Sequence, residues 1–302
     1  MVPEFDKHTE VNADLSEFIA DVKRGIEKLG KTCATPVVLG PVTIVWLVNF
    51  ATSDPGQTEA LLHELLPVYK KLFKDLGALG ITEIQVHDPA LIFDEADLLP
   101  LYKKAYPYVF NPEGPAINVV TFFEDIGVEN YKWLTSLNEV SIISLDFTRG
   151  DSLSLIKSSG FPSSKTLGVG IIDGRNVWKA DRALVDDVLN KLSKQVSSIR
   201  VQPSAPLHYV PWDLSCEKDI LSQTIGQVLS FAIQKVAEVT LVAKVAKGEA
   251  TLGDHKAAWS SYRTMLTSDK SISDRVGKSE DLVNLKFKLL IDISNNLTSF
   301  LF

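Results

Sequence analysis

Residues 65–91, LLPVYKKLFKDLGALGITEIQVHDPAL, hold a helical pattern followed at once by a short apolar run. Across 58–79 the apolar side chains recur every three or four positions, which predicts an amphipathic helix. Residues 81–86 then form a predicted strand that ends in His87, Asp88 and Pro89. A helix that leads into a buried strand is the repeating unit of parallel α/β sheets, so this stretch predicts that fold class.

The same alternation extends in both directions along the chain. Further strands are predicted at 36–48, 116–123, 140–147, 166–172 and 198–202, with one more short strand at 2–5. Further helices are predicted at 15–29, 94–108, 131–137, 182–196 and 222–247, and a Gly/Ser-rich turn precedes residue 166. Strands separated by helices fit either a (β/α)8 TIM-type barrel that lacks strands or an open doubly wound sheet.

Composition bounds the class of protein and its partners. The chain has 302 residues, of which 45% are hydrophobic and 23% charged, as in a globular protein with a sizeable core. Its net charge of −7 argues against nucleic acid or an anionic membrane as the main partner. The sequence shows neither a membrane-spanning run nor a signal core, and Cys33 and Cys216 suggest no disulfide framework. We therefore expect a cytoplasmic protein.

Five segments decide between the two architectures, because they resemble consecutive blocks of the N-terminal domain of cobalamin-independent methionine synthase. They are PVVLGPVTIVWL (36–47), the opening segment 65–91, TLGVGIIDGRNVWKAD (166–181), VQPSAPLHYVPWDL (201–214) and LSFAIQKVAEVTLVAKVAKG (229–248). They occur in the family's order and spacing. The resemblance implies a TIM-type barrel over 1–247, with a helical C-terminal extension over 248–302.

Departures from the family pattern bear on function. The family's acidic strand-end motif reads His87-Asp88-Pro89 here, and its serine-rich motif reads PSAP at 203–206. We expect the family's first strand and long helical arm to have no counterpart here. We expect the N-terminal segment, the C-terminal tail or a second subunit to cover the open barrel edge, a homodimer being the simplest arrangement. Because the arm also helps to hold folate, the resemblance does not carry folate binding over.

Four residues at or directly after the ends of predicted strands are catalytic candidates, namely His87, Asp88, Glu124 and Asp146. Barrel active sites lie at the C-terminal ends of the strands, and a histidine beside a carboxylate suits general acid/base chemistry. Two alternatives stay open. Neighbouring strand residues point to opposite faces, so only one of His87 and Asp88 faces the mouth. The carboxylates equally suit loop caps or pairing with Arg149.

A second set of residues suggests ligand binding. Arg175 offers a planar fork for a carboxylate or phosphate, although it equally suits an ion pair with Asp173 that locks the loop. Ser204 and His208 follow the last predicted strand without a nucleophile elbow, so we do not expect a serine hydrolase. The aromatic candidates for a pocket wall, each of which also suits the core, are Trp46, Phe122, Trp178 and Tyr209.

The five histidines and two cysteines show no metal-binding spacing. His87 and His208 both follow predicted strands, but catalytic zinc requires a third ligand. In the resembling family the zinc site that transfers the methyl group belongs to the C-terminal barrel. We therefore expect no metal, no cofactor and no homocysteine methylation by this chain alone.

Two functional hypotheses remain from the sequence. The first is a repurposed, metal-free enzyme that performs cyclisation, isomerisation, elimination or aldol-type acid/base chemistry on a small organic molecule at the barrel mouth. The altered motifs at 87–89 and 203–206 motivate it. The second is a non-catalytic binding or scaffold protein, or a partner of a separate methionine synthase catalytic half. The well-kept block at 173–178 motivates that alternative, because the block suits a structural role.

Overall fold

A computed structural model describes residues 4–5, 11, 13–50, 56–93, 98–221 and 224–250. The strands are β1 (Glu4–Phe5), β2 (Val37–Leu39), β3 (Asn49–Phe50), β4 (Glu83–His87), β5 (Ala116–Val120), β6 (Val140–Asp146), β7 (Thr166–Ile172) and β8 (Ile199–Pro203). The helices are α1 (Ser16–Leu29), α2 (Pro41–Leu47), α3 (Gln57–Ala78), α4 (Leu99–Val109), α5 (Gly127–Ser136), α6 (Ser152–Ser159), α7 (Arg182–Leu192), α8 (Lys218–Leu221) and α9 (Ala232–Ala246). Short 3₁₀ turns include Pro89–Ile92, Leu207–Tyr209 and Thr224–Val228.

Six strands form one parallel sheet in the order β2-β4-β5-β6-β7-β8. The short strands β1 and β3 pair with each other in a separate parallel sheet. The α/β class with a parallel sheet and intervening helices is thus confirmed. In the part of the chain that the structure describes, β2 and β8 are the edges of the main sheet.

The main sheet buries its outer face under helices and carries polar side chains on its inner face. Ile84 and Val86 on β4 are fully buried and belong to the main hydrophobic cluster. The alternate residues Glu83, Gln85 and His87 are only partly buried. Since side chains alternate along a strand, these three point to the opposite, inner face. The inner face of β4 is therefore polar along its length.

Close approach of strands inside the sheet depends on one glycine. A Cβ at Gly168 on β7 would lie 2.0 Å from Ser144 Oγ and 2.7 Å from Gln202 Oε1. The Ser144 hydroxyl lies 2.8 Å from Asn118 Oδ1 and 3.1 Å from Gln202 Oε1. Only glycine leaves room for this contact between β5, β6 and β8.

Three predicted elements differ from the structure. The stretch 36–48 was expected as one strand, but Val37–Leu39 gives way to helix α2, which starts with a proline at its first turn. The Gly/Ser-rich stretch before residue 166 holds helix α6, whose N-cap Asp151 accepts a hydrogen bond from Ser154 N. The single helix expected at 222–247 begins only at Ala232, after the 3₁₀ turn Thr224–Val228.

The predicted C-terminal extension, 248–302, lies outside the described residues from 251 onward. Within the described ranges, no helix is both long enough and apolar enough to cross a lipid bilayer.

Candidate functional site

The strand alternation separates the two residues that end β4. His87 is half-buried on the inner face, whereas Asp88 is fully buried on the helix side. Asp88 accepts hydrogen bonds from Thr43 Oγ1 on α2, from Tyr102 Oη at 2.9 Å and from Tyr106 Oη at 2.8 Å. The structure therefore does not place His87 and Asp88 together as an acid/base pair at the mouth.

Asp88 links the end of β4 to helices α2 and α4. Burial raises the pKa of its carboxyl group to about 6, and the hydroxyls of Thr43, Tyr106 and Tyr102 oppose that rise. A Cβ at Gly40, the residue before α2, would lie 2.0 Å from Asp88 Oδ2, so only glycine fits there. These contacts make Asp88 an internal anchor of the helix layer.

His87 faces aromatic side chains and a second histidine. Its ring lies edge-on to Phe122 at 5.4 Å between centroids, and its Nε2 lies 3.4 Å from Gln85 Oε1. Burial, and to a lesser degree the nearby His208, lowers the pKa of His87 to about 4. The imidazole is therefore neutral near neutral pH, a state that can accept or donate a hydrogen bond.

Phe123, directly after β5, has a backbone φ of +90°, the only positive φ of a non-glycine residue among those described. Its N–H donates to Asp146 Oδ2 at 3.1 Å. The other carboxylate oxygen of Asp146 accepts from Thr148 N, Thr148 Oγ1 and Arg149 N. Asp146, predicted as catalytic, thus fixes the two loops that follow β5 and β6. Strained backbone held in this way is found mainly at functional sites.

Glu124 lies beside this anchor. Burial, and next the neighbouring Asp125, raises the pKa of Glu124. A Cβ at Gly150 would lie 2.4 Å from Glu124 Oε1, so the loop after β6 passes close to this carboxylate. Of the three carboxylates named as catalytic candidates, the structure brings Glu124 and Asp146 near each other and leaves Asp88 on the helix side.

Asp173 forms its ion pair with Arg149 and not with Arg175. The Arg149 nitrogens Nη1 and Nη2 lie 3.3 and 3.2 Å from the two carboxylate oxygens of Asp173. Arg175 contributes only its backbone N–H, which donates to Asp173 Oδ1 at 2.8 Å. Its guanidinium instead lies over the Phe123 ring, with Cζ 4.5 Å from the centroid, and 5.8 Å from the Tyr209 centroid.

Ring contacts join these residues into one group. Phe122 packs on Phe123 at 4.6 Å, Phe123 faces Tyr209 at 6.0 Å, and Tyr209 packs on His208 at 4.1 Å. We call the set His87, Phe122, Phe123, Arg175, His208 and Tyr209 the mouth cluster. It presents flat apolar faces, one guanidinium and two imidazoles at the C-terminal ends of the strands, which suits binding of a small organic molecule.

The remaining predicted ligand-binding residues lie outside the mouth cluster. Ser204 is buried, and its Oγ accepts from Gly174 N at 3.2 Å, which ties the loops after β7 and β8 together. Trp178 forms a bridge with Leu229, and its carbonyl accepts from the buried Lys235 at 2.9 Å. Trp46 on α2 stacks on Phe93 at 4.4 Å. All three join loops or helices to their neighbours.

Sequence reasoning missed the residues that hold the site from a distance. Arg149 was considered only as a partner of nearby carboxylates, and Thr43, Tyr102 and Tyr106 were not considered. Tyr102 and Tyr106 are four residues apart on α4, so they share one helix face, but nothing in the sequence connects that face to Asp88.

For metals, the described residues contain no group of three or more His, Cys, Asp or Glu side chains arranged to hold an ion. His87 and His208 influence each other electrostatically, but the described part of the chain offers them no third ligand. The zinc of the resembling family therefore has no fitting ligand set among these residues.

Comparison with known proteins places the chain. Residues 1–197 match the family described as "Cobalamin-independent synthase, N-terminal domain". A 5-methyltetrahydropteroyltriglutamate–homocysteine methyltransferase from Trichodesmium erythraeum is 40% identical over 250 residues, covering 82% of this chain and 32% of the relative. The rice relative of the same description is 35% identical over 274 residues, covering 87% of this chain and 35% of the relative. The chain thus spans about one third of the length of these curated relatives.

Solved structures agree on the fold. A B12-independent methionine synthase from Shewanella sp. W3-18-1 aligns with a TM-score of 0.55 at 17% identity, covering 80% of this chain and 71% of that one. The Listeria monocytogenes protein described as a vitamin-B12-independent methionine synthase gives 0.53 at 13% identity, covering 76% and 70%. The family match, supported by the similar fold, shows that this chain belongs to the cobalamin-independent methionine synthase family and corresponds to its N-terminal domain.

Proposed function

We propose that this chain is the ligand-holding barrel of a methionine synthase-type system, binding a small organic molecule at the mouth cluster while a separate catalytic half transfers the methyl group. Family membership supports the proposal, because the matched relatives are described as 5-methyltetrahydropteroyltriglutamate–homocysteine methyltransferases. This chain corresponds to only one third of their length, so a complete reaction draws on further protein.

One observation carries the binding role. Arg175 is an exposed residue whose guanidinium lies over Phe123 and near Tyr209, while His87 and Asp88 point to opposite sides of the sheet. A mouth with flat rings and one cation, but without an acid/base pair, is better suited to holding a molecule than to transforming it.

We expect the catalytic half to bind at the edge strand β2, which pairs only with β4 among the described strands. Val37 and Leu39 on the edge strand β2 are 46% and 37% exposed, although both are apolar. Unpaired strand edges with apolar side chains are usually covered by another chain or segment. A homodimer would cover the same edges.

Calorimetry and sedimentation test this function together. The chain is mixed with the part of the Trichodesmium erythraeum relative that it does not match, in the presence and absence of homocysteine and 5-methyltetrahydropteroyltriglutamate. We expect a heterodimer whose formation is weakened by Val37→Lys. The exposed Val128 on α5 offers a matched control, Val128→Lys, which should bind normally. No complex, or a homodimer that excludes the added part, would refute the partner role.

A second candidate is the metal-free acid/base enzyme, with His87 as the catalytic residue. It is favoured by the neutral imidazole that faces the mouth beside Phe122. Its test is mass spectrometry of small-molecule extract incubated with the wild type and with His87→Ala. A product made by the wild type alone would support this enzyme, whereas identical extracts would count against it.

A further inference from the structure

The mouth cluster contains one cation without a counter-ion. Arg175 is exposed, and in the part of the chain that the structure describes no carboxylate lies within ion-pair distance of its guanidinium. The face of the guanidinium is occupied by the Phe123 ring, at 4.5 Å from Cζ to the centroid. A guanidinium stacked by its face keeps its edge of N–H donors available to an acceptor in the same plane.

The nearest carboxylates are already saturated by other donors. Both oxygens of Asp173 accept from Arg149, and they also receive Arg175 N at 2.8 Å and Asn176 Nδ2 at 2.7 Å. Asp146 accepts four hydrogen bonds from the loops after β5 and β6. Because these acceptors are engaged elsewhere, they hold the loops in place and leave the donors of Arg175 to a ligand.

Backbone strain at Phe123 is an independent indication that the position of its ring under Arg175 matters for function. The +90° φ of Phe123 is unfavourable for a bulky residue. The hydrogen bond from Phe123 N to Asp146 fixes that conformation, which directs the ring under the guanidinium. A glycine would relieve the strain but would offer no ring.

We propose that Arg175, supported by Phe123 and flanked by Tyr209, binds the carboxylate group of a small, singly charged organic acid. The proposal rests on the proposed function and names the ligand chemistry of the same site. A carboxylate accepts two parallel hydrogen bonds from a guanidinium edge, and the apolar part of the acid would contact the exposed Tyr209 ring. The carboxylates of Asp146, Asp173 and Glu124 around the site disfavour a doubly charged phosphate.

Benzoate and benzamide are the probes, because they share a ring and differ in the charge of the group that Arg175 would hold. Binding to the full chain is followed by calorimetry and by the side-chain ¹H–¹⁵N signal of Arg175. We expect benzoate to bind, to shift that signal, and to bind about tenfold or more tightly than benzamide. Arg175→Gln should weaken benzoate binding by a similar factor, and Arg175→Lys should weaken it less.

Two further variants separate recognition from folding. Tyr209→Ala removes an exposed ring, so the fold should stay intact while benzoate binding weakens. Arg24→Gln, on the surface of α1 far along the chain from the mouth, should bind like the wild type. Equal benzoate affinity in the wild type and Arg175→Gln, no binding of benzoate, or tighter binding of inorganic phosphate would each overturn the proposal.

The outcome is distinguishable from failure of the proposed function. If methionine forms with a separate catalytic half but Arg175→Gln does not weaken benzoate binding, the proposed function is supported and the carboxylate site at Arg175 is refuted. If benzoate binds at Arg175 but the chain has no effect on methionine formation, the carboxylate site is supported and the proposed function is refuted.

Discussion

Arg200 on β8 and Glu83 on β4 form a two-pronged ion pair, with Nη1 to Oε1 at 2.6 Å and Nη2 to Oε2 at 2.9 Å. Strands β5, β6 and β7 lie between them in the sheet. In a flat sheet the two strands would be about 19 Å apart, which is too far for these side chains to meet. The pair therefore requires a strongly curved sheet, with Glu83 and Arg200 meeting across its inner face. Asn118 Nδ2 also donates a hydrogen bond to Glu83 Oε1, at 3.2 Å.

Arg200→Met should lower the free energy of unfolding by about 1 kcal/mol, because the pair is bidentate but Arg200 is 43% exposed. Urea unfolding measures the change, and a double-mutant cycle with Glu83→Gln isolates the coupling. Lys71→Met, which removes an exposed helical pair with Asp75, is the control and should cost less than about 0.5 kcal/mol. Equal losses in the two variants would argue against a role of the Arg200 pair in sheet curvature.

Asp88→Asn should cost more stability in acid than at neutral pH. Burial raises the pKa of Asp88 from 3.8 to about 6, so the folded chain holds this proton more tightly than the unfolded chain. Protonated Asp88 therefore adds to the free energy of unfolding. This contribution is complete at pH values below the pKa of Asp88 in the unfolded chain and is lost as the pH rises through about 6, a change of at most about 3 kcal/mol. Asparagine does not titrate. Unfolding of both proteins at about pH 4 and about pH 7 checks this; an equal cost at both would contradict it.

Phe123→Gly should be more stable than Phe123→Ala by about 1 kcal/mol, the reverse of their order in a helix. Both substitutions remove the same ring, but only glycine adopts a φ of +90° without strain. Thermal or urea unfolding of the pair measures the difference. If alanine proved as stable as glycine, the strained conformation assigned to residue 123 would be wrong.

His87 should titrate with a pKa near 4, well below the usual 6.5 of histidine. His208→Ala should raise the pKa of His87 without bringing it to its usual value, because burial is the larger cause and His208 the smaller. NMR titration of the imidazole signals reports both quantities. A His87 pKa that is unchanged in His208→Ala would show that the two rings do not face each other.

Elements with clear periodicity were predictable from the sequence. Strand β7 matches its predicted bounds, and α1 and α3 begin and end within one residue of theirs. The structure of 36–48 was not predictable, because a short run of Val, Ile and Leu has the same pattern in a buried strand and in a buried helix. The Gly40-Pro41 pair carried the missing information, since proline suits the first turn of a helix. Helix α6 was hidden by its serines.

The sequence named candidate site residues, but it did not give their partners in the structure. Strand alternation indicated that His87 and Asp88 point to opposite faces, and in the described part of the structure Asp88 contacts the helices while His87 does not. The partners of Asp88 come from two helices, 45 and 14–18 residues away in sequence, and the Arg149–Asp173 pair joins the loops of neighbouring strands. Such pairings depend on how helices are laid over the sheet, which residue spacing along one chain does not determine.

Methionine formation by a reconstituted mixture tests the proposed function of this chain most directly. The chain is combined with the unmatched part of the Trichodesmium erythraeum relative, homocysteine and 5-methyltetrahydropteroyltriglutamate, and methionine is followed by mass spectrometry. We expect no methionine from either protein alone, methionine from the mixture, and a reduced rate with Arg175→Gln but not with Arg24→Gln. Methionine from this chain alone, or a mixture no more active than the added part by itself, would contradict it.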